Sequence, residues 1–473
     1  MMNSSRVRLL VVTCIALFMA MLDSLILGVA LPSIQKDLGA SLSELEWFMN
    51  AYTLAFAVLI IPFSLLGDSI GRKKVFLAGV AVFTLGSLFS GLSTTSSWLI
   101  VFRTLQGIGG AAIVPLSLTL VNAAFPPEKR AMAIGLWSGI SGLGLSVGPL
   151  VGGLVMEGAP WQMIFYINVP VGIIAIILGM FWIKESRGVR KPLDMVGVLL
   201  LTGGLFGLIF GLERGNSSGW STPEVLTALI GGPVLLILFY FWEKRRAVPI
   251  VRFDLFRNKN YTSYILAGVW MNAGVFGAIF LLTLFLQQAQ GYSPLEAGVR
   301  EMAWTIMTML AAPFAGMAIG RLGSKKVLMT GLLLQGAGLA WLALLVFTKG
   351  AAFPFRDAIV PMMMGGAGMG LSFTPLSHGL LASVAEESAG EASGVSNATR
   401  QLGSVFGIAL SGIFFQSGGT IQTPGQFADH LGPSLAADAL MMFVAVLLIG
   451  IFVVNLSESS RKNTLKAITE ESL

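Results

Sequence analysis

Three charged side chains lie deep inside long apolar runs of the 473-residue chain: Asp23, Arg103 and Arg400. A charge in the middle of a bilayer costs a few kcal/mol or more unless it is paired or wetted, so each marks a position where function is to be sought. Asp23 and Arg103 fall at depths that one arginine side chain can bridge, and Asp23 is the one acid placed deep in any run. A carboxylate there can take up and release a proton, which makes Asp23 the candidate proton carrier and Arg103 its partner; a fixed structural pair is the competing reading. Arg400 has no acid at its depth, only Asn397, Gln401 and His378 as polar company, and serves either structure or substrate. Glu301 stands near the outer end of its own run, the one acid able to reach inward there. With a single cysteine, Cys14, and two histidines, the chain offers no disulfide, metal cluster or catalytic triad. It has no phosphate-binding loop either. No cofactor, metal or enzymatic activity is expected, and uphill work must draw on an ion gradient.

These residues must be positioned by helices that cross a membrane. Hydrophobic residues make up 55% and charged residues 11% of the chain, too few charges to cover a water-exposed surface, since soluble domains carry roughly 25%. A helix needs about 20 apolar residues to cross a bilayer core. Fourteen such runs are present, the first over 9–31, the fifth over 132–155, the tenth and eleventh over 301–320 and 327–347, and the last over 437–456. The first is too long for a signal-peptide core and is read as a retained helix. Basic residues cluster in alternate connections, as in Arg72, Lys73 and Lys74; Lys129 and Arg130; Arg190 and Lys191; Lys325 and Lys326; and Arg461 and Lys462. This bias places both termini in the cytoplasm, in a cell membrane expected to be bacterial, with the acidic loop of residues 385–391 as the exception. The net charge of +6 is carried by these short clusters and forms no nucleic-acid surface.

A repeat sets the architecture. Gly71, Lys73, Lys74 and Val75 recur as Gly323, Lys325, Lys326 and Val327, an offset of 252. Pro115, Leu116 and Ser117 recur as Pro375, Leu376 and Ser377, and Gly135, Gly144 and Gly148 as Gly394, Gly403 and Gly407. The expected fold is an all-α integral membrane protein of fourteen transmembrane helices, in which two six-helix bundles are related by a pseudo-twofold axis and two extra helices stand between them. Residues 1–190 form the first bundle, 191–260 the linker helices and cytoplasmic connection, 261–456 the second bundle and 457–473 a cytoplasmic tail. Paired repeats of this kind hold a cavity at their interface that opens to each side in turn.

Further residues suit a moving transporter. Gly144, Gly148, Pro149, Gly152 and Gly153 form a small-residue ladder that permits close helix approach, while Pro149 permits bending. Gly67, Asp68, Gly71, Arg72 and Lys73 occupy a short connection in which Asp68 can latch to the basic residues or cap a helix. Methionines crowd the tenth and twelfth runs. Met307 and Met363, with Glu301, Thr308, His378, Asn397 and Arg400, are the expected lining of a cavity for irregular lipophilic compounds.

Leu22 to Pro32, Asp68 to Lys74, Arg103-Thr104-Leu105-Gln106-Gly107, Gly144 to Gly153 and Arg400-Gln401-Leu402-Gly403 resemble the motifs of the major facilitator superfamily, specifically its fourteen-helix drug:proton antiporters. Trp161 to Pro170 and Gly291-Tyr292-Ser293-Pro294 resemble further segments of that subgroup. The resemblance implies multidrug export driven by inward proton flow, with Asp23 and Arg103 in the coupling and Gly148 and Pro149 in the gate hinge. Ser64 and Ser69 stand where the subgroup often has Gly and Arg. Thr305 to Met309 lacks the acid carried by relatives that export dicationic compounds. Counting Asp23 against Arg103 and Arg400 leaves the deep charges at +1, so monovalent, neutral or zwitterionic lipophilic substrates are expected over dications. The expected partners are protons, small lipophilic substrates and the bilayer, with no nucleic acid; an accessory envelope protein stays open. A dedicated exporter of one metabolite, lipid or antibiotic is the nearest alternative. A membrane sensor or scaffold that transports nothing is a distant one.

Overall fold

A computed structural model describes residues 4–187, 194–246, 249–384, 389–416 and 423–454. Residues 385–388 of the acidic loop, the boundary at residues 190 and 191 and the tail 457–473 lie outside the described residues, as do the side chains of Lys129 and Arg130. The chain runs through α1 (Ser4–Leu38), α2 (Leu42–Ile70), α3 (Arg72–Gly91), α4 (Ser96–Ala124), α5 (Pro127–Gly158), the short α6 (Met163–Tyr166) leading into α7 (Asn168–Trp182), α8 (Met195–Ser218) and α9 (Pro223–Glu243). It continues through α10 (Lys259–Leu284), α11 (Pro294–Lys349), α12 (Phe355–Leu381), α13 (Ala389–Gln416) and α14 (Pro424–Phe452). No strand occurs among the described residues.

Every apolar run falls on these helices, the sixth divided between α6 and α7 and the tenth and eleventh sharing α11. Among the described residues, ten helices are long and apolar enough to cross a bilayer, and the bent pair Leu42–Ile60 and Pro62–Ile70 makes an eleventh. Gly323, at φ 79° and ψ 156°, breaks α11 into two segments, each long enough at about 1.5 Å per residue to cross on its own. The helices begin earlier than the apolar runs do. Capping boxes start α2 (Ser41 with Glu44), α11 (Ser293 with Glu296) and α14 (Thr423 with Gln426), and proline occupies the first turn of the last two.

In the first half of the chain α1 packs on α4, α5 and α7, and α3 on α4 and α7. In the second half α10 packs on α13 and α14, and α11 on α12 and α14. Contacts of α5 with α11 and of α2 with α13 join these groups, while α8 and α9 form a hairpin that reaches α2 and α13 through α8. Large apolar side chains on the outer faces, Phe181 and Ile230 among them, suit a lipid surround.

The repeat reappears in hydrogen bonds. Gly71 and Gly323 both take positive φ, 133° and 79°, at corresponding breaks between helices. Lys73 Nζ donates to Met180 O at the end of α7 (2.7 Å). Its counterpart Lys325 Nζ donates to Gly450 O and Val453 O at the end of α14 (2.9 and 2.6 Å). Each lysine thus caps the carbonyl end of the last helix of its own half.

The linker hairpin is closed by Asp194. Its carboxylate accepts from the Gly197 N–H (3.0 Å), capping α8, and from Trp242 Nε1 (2.7 Å) at the end of α9, with Arg246 at 3.3 Å. Burial works to raise its pKa, but these donors and the Arg246 charge outweigh it and hold the carboxyl below the ordinary Asp range.

Candidate functional site

Five helices of the first half converge on Asp23. Its carboxylate is fully buried, as is Arg103 at 1% exposure. Arg103 Nη1 donates to Asp23 Oδ2 at 2.5 Å, and Asp23 Oδ1 accepts from Gln106 Nε2 (3.1 Å) and Asn168 Nδ2 (2.9 Å). Ser87 Oγ on α3 accepts from Gln106 Nε2 (2.6 Å) and Asn168 Nδ2 (3.2 Å), tying α4 and α7 to α3. The paired depth expected of Asp23 and Arg103 is what brings them together. Gln106, Asn168 and Ser87 were not singled out as site residues, although Gln106 stands at i+3 from Arg103 and so shares its helix face.

The chemistry follows from who donates. All three partners of Asp23 offer N–H groups, two to Oδ1 and one to Oδ2. A proton added to the remaining lone pair of Oδ2 finds no acceptor among these partners and cancels the charge that holds Arg103. Arg103 has somewhere to go: Nε donates to Phe48 O (3.0 Å), Nη1 to Gln106 Oε1 (2.9 Å), and the guanidinium lies over the Tyr52 ring at 4.7 Å. A guanidinium that keeps these contacts can release the carboxylate without being left bare.

The glycine ladder of α5 clasps α1 around this turn. A Cβ added at Gly144 would lie 2.9 Å from Met21 Cβ, at Gly148 3.2 Å from Leu22 O, and at Gly152 2.9 Å from Ile26 O. A bulky side chain there would disturb the packing of α5 on α1, the helix that carries Asp23. Gly153 faces the other way: its added Cβ would lie 2.7 Å from Leu295 Cα at the start of α11, and one at Gly298 would overlap Pro149 O. Gly148 therefore belongs to packing within one half, and Pro149 with Gly153 to the contact between halves.

The loop of Gly67 to Lys73 is latched within its own half. Asp68 pairs with Arg72 at 2.7 Å and caps nothing. The cap on α3 is Glu185, which accepts from the Lys73 N–H at 3.0 Å, while the Arg72 N–H donates to Ser186 O at 2.9 Å. A Cβ at Gly71 would meet the Glu185 carboxylate, so the glycine makes room for this cap.

The residues expected to line a cavity do not form one cluster. Thr308 Oγ1 donates to Trp304 O and Gly366 O (both 3.0 Å), tying α11 to α12. Met363 is exposed; Met307 and Asn397 are half-buried. His378 is exposed in the last turn of α12 and meets Ser324 Oγ at 2.7 Å, beside the Gly323 break. Arg400 lies over the Phe373 ring at 5.1 Å with its Nε buried and unpartnered. An apolar cavity of about 260 Å³ lies elsewhere, between α2, α8, α9 and α13, walled by Ala57, Val58, Leu201, Leu205 and Leu402; none of the seven residues lines it.

One expectation is corrected outright: Asp23 is not the only deep acid. Asp438, fully buried, sits midway along α14, because that helix begins at Pro424 and not at 437. Glu301 is buried two turns into α11 and accepts from Thr283 Oγ1 at 2.5 Å. Glu46 is buried on α2 and accepts from Gln416 Nε2 of α13 at 3.2 Å. The count of +1 for deep charges omitted these groups.

Long apolar helices with a lipid-suited exterior and a buried ion pair in one half define a multi-pass membrane protein. The chain belongs to the Major Facilitator Superfamily, whose family model matches residues 13–408 and 264–470. It is 34% identical over 438 residues to the tetracenomycin C resistance and export protein of Streptomyces glaucescens, covering 90% of this chain and 80% of that protein. It is 34% identical to the multidrug resistance protein Stp of Mycobacterium tuberculosis (87% and 76% covered) and 35% identical to the methylenomycin A resistance protein of Streptomyces coelicolor (84% and 83%). The crystal structure of the nucleoside transporter NupG superposes with a TM-score of 0.66 at 14% identity, covering 95% of this chain and all of that one, a likeness of fold.

Proposed function

We propose that this chain is a proton-coupled antiporter that exports lipophilic drugs or other small toxic compounds across the cytoplasmic membrane by alternating access. The observation that carries the reading is the Asp23 network: a fully buried carboxylate held only by N–H donors, with a cation that keeps other partners when it lets go. In this reading the chain crosses the membrane fourteen times, as two six-helix bundles and a two-helix linker, with both termini cytoplasmic. Proton entry to Asp23 displaces Arg103 toward Phe48 O and Tyr52. That loosens α1 against α4, and because α5 clasps α1, the shift is passed to the contact of α5 with α11. Resistance and export are what the names of the three relatives describe, and this supports the outward direction.

A dedicated exporter of a single antibiotic fits the same geometry, and the single antibiotics in the names of two relatives favour it as the second reading. Everted vesicles incubated with a panel of lipophilic monocations, neutral drugs and zwitterions, with and without a proton gradient, test both. Uptake of several unrelated compounds that collapses with the gradient is the expected result. Uptake indifferent to the gradient overturns the coupling, and uptake of one compound alone favours the dedicated exporter.

A further inference from the structure

Asp438 has no role in the mechanism above. It lies where α10, α13 and α14 meet: Oδ1 accepts from Ser411 Oγ of α13 at 2.5 Å, and Oδ2 is buried with no hydrogen-bond partner. The junction is closely packed. A Cβ at Gly277 of α10 would lie 2.8 Å from Asp438 Oδ1, and one at Gly274 2.6 Å from Asp438 O.

Among the described residues, no cation faces this carboxylate. Between Tyr264 and its end, α10 carries no ionisable side chain. On α13 the charged residues are Glu391 and Arg400, and Arg400 stands eleven residues from Ser411, about 16 Å along the axis. On α14 the neighbours are Asp429 and His430, more than two turns away; on the second segment of α11 they are Lys325, Lys326 and Lys349 at its ends, with Lys325 engaged by the last carbonyls of α14. A carboxylate with one hydroxyl donor and one bare oxygen in a low-dielectric junction is the costliest form this group can take; the acid form keeps the Ser411 contact with the proton lying in either direction.

We propose that Asp438 is a second proton-binding site, in the second half of the molecule, loaded in this conformation and separate from Asp23. Its consequence for transport rests on the proton-coupled reading: opening of the α10, α13 and α14 junction lets the proton leave to water, adding one proton to each cycle.

Infrared difference spectra between neutral and alkaline pH, taken on the purified protein in lipid films, test the site without any substrate. A protonated carboxyl band present in the wild type, lost in Asp438→Asn and kept in Asp23→Asn and Glu301→Gln is expected. Ser411→Ala should shift that band without removing it, and serves if Asp438→Asn fails to insert. A band set unchanged by both Asp438→Asn and Ser411→Ala overturns the site. In proteoliposomes, with tetraphenylphosphonium as the probe, protons moved per probe should fall by one in Asp438→Asn, and an unchanged ratio overturns the coupled role. If the wild type moves no protons at all, the antiport reading falls while the infrared band still decides the site.

Discussion

The contact between α5 and α11 offers the sharpest test, because its geometry ranks substitutions that look alike on paper. An alanine Cβ at Gly153 would lie 2.7 Å from Leu295 Cα and 3.0 Å from Pro294 O, short of ordinary contact at 3.4 Å by about 0.7 Å, and against backbone that has no rotamer to change. At Gly148 the nearest atoms are at 3.2 Å, a shortfall that small shifts absorb. Overpacking of the first kind costs about 1–3 kcal/mol in the state that makes the contact, and nothing in a state that does not. At about 1.4 kcal/mol per factor of ten, Gly153→Ala should move the equilibrium between the two states by roughly 5- to 150-fold toward separation of α5 from α11. The assay is pulsed electron spin resonance between labels at Glu157→Cys and Val299→Cys, both exposed at this end, in a Cys14→Ser background. Gly153→Ala should lengthen the distance distribution and slow transport; Gly298→Ala should do the same, since its Cβ would overlap Pro149 O. Gly148→Ala should leave the distance close to wild type. If Gly148→Ala shifts the distribution as far as Gly153→Ala, the assignment of one glycine to each contact is wrong.

Three further outcomes follow from the same geometry. Asp23→Asn keeps size and removes the titrating group, so drug-driven proton release should vanish while the protein still inserts, as read by a pH dye on purified protein; release at wild-type stoichiometry refutes the assignment. Lys73→Ala and Lys325→Ala should each lower thermal stability in detergent by about 1 kcal/mol through loss of contacts to the last carbonyls of α7 and α14, with the larger loss at Lys325, which holds two carbonyls. Asp194 carries a lowered pKa in the fold, so its contribution is present above the unfolded value near 4 and is lost as pH falls through the folded one. Hydrogen exchange at the Gly197 amide should therefore stay slow from neutral pH down to about 4 and quicken below it, whereas Asp194→Ala should exchange fast throughout.

What could be read from the sequence was the set of crossings and the depth at which charges sit within them; what could not was where a helix starts beyond its apolar core. The run at 437–456 is the clearest instance. Residues before it include Asp429, His430 and Pro433, which break an apolar window, yet Thr423, Pro424 and Gln426 form a start signal that carries the helix 13 residues further back. With that start, Asp438 moves from a helix end to its middle. Glu301 changes depth for the same reason through Ser293 and Glu296. Asn168 and Ser87 escaped because short polar residues on a packed helix look like small-residue packing until a buried partner is seen. His378 escaped in the opposite sense: its place in a run suggested depth, and the last turn of α12 gives it solvent.

The repeat makes the difference between the two halves intelligible. Met180 and Gly450, each held by the lysine of its own half, stand at an offset of 270, and the same offset carries Asn168 onto Asp438. In the first half that position donates an amide to Asp23; in the second it bears the acid itself. Arg103 and Gln106, shifted by the offset of 260 that relates α4 to α12, fall on Met363 and Gly366, so the second half has neither the cation nor the amide that hold Asp23. One scaffold thus carries an ion pair on one side and an acid without a cation on the other. An acid of the first kind, on taking a proton, loses the charge that holds its arginine. An acid of the second kind changes its proton whenever its junction admits water. On the proposed proton-coupled reading, conformational change follows protonation in the first half, and protonation follows conformational change in the second.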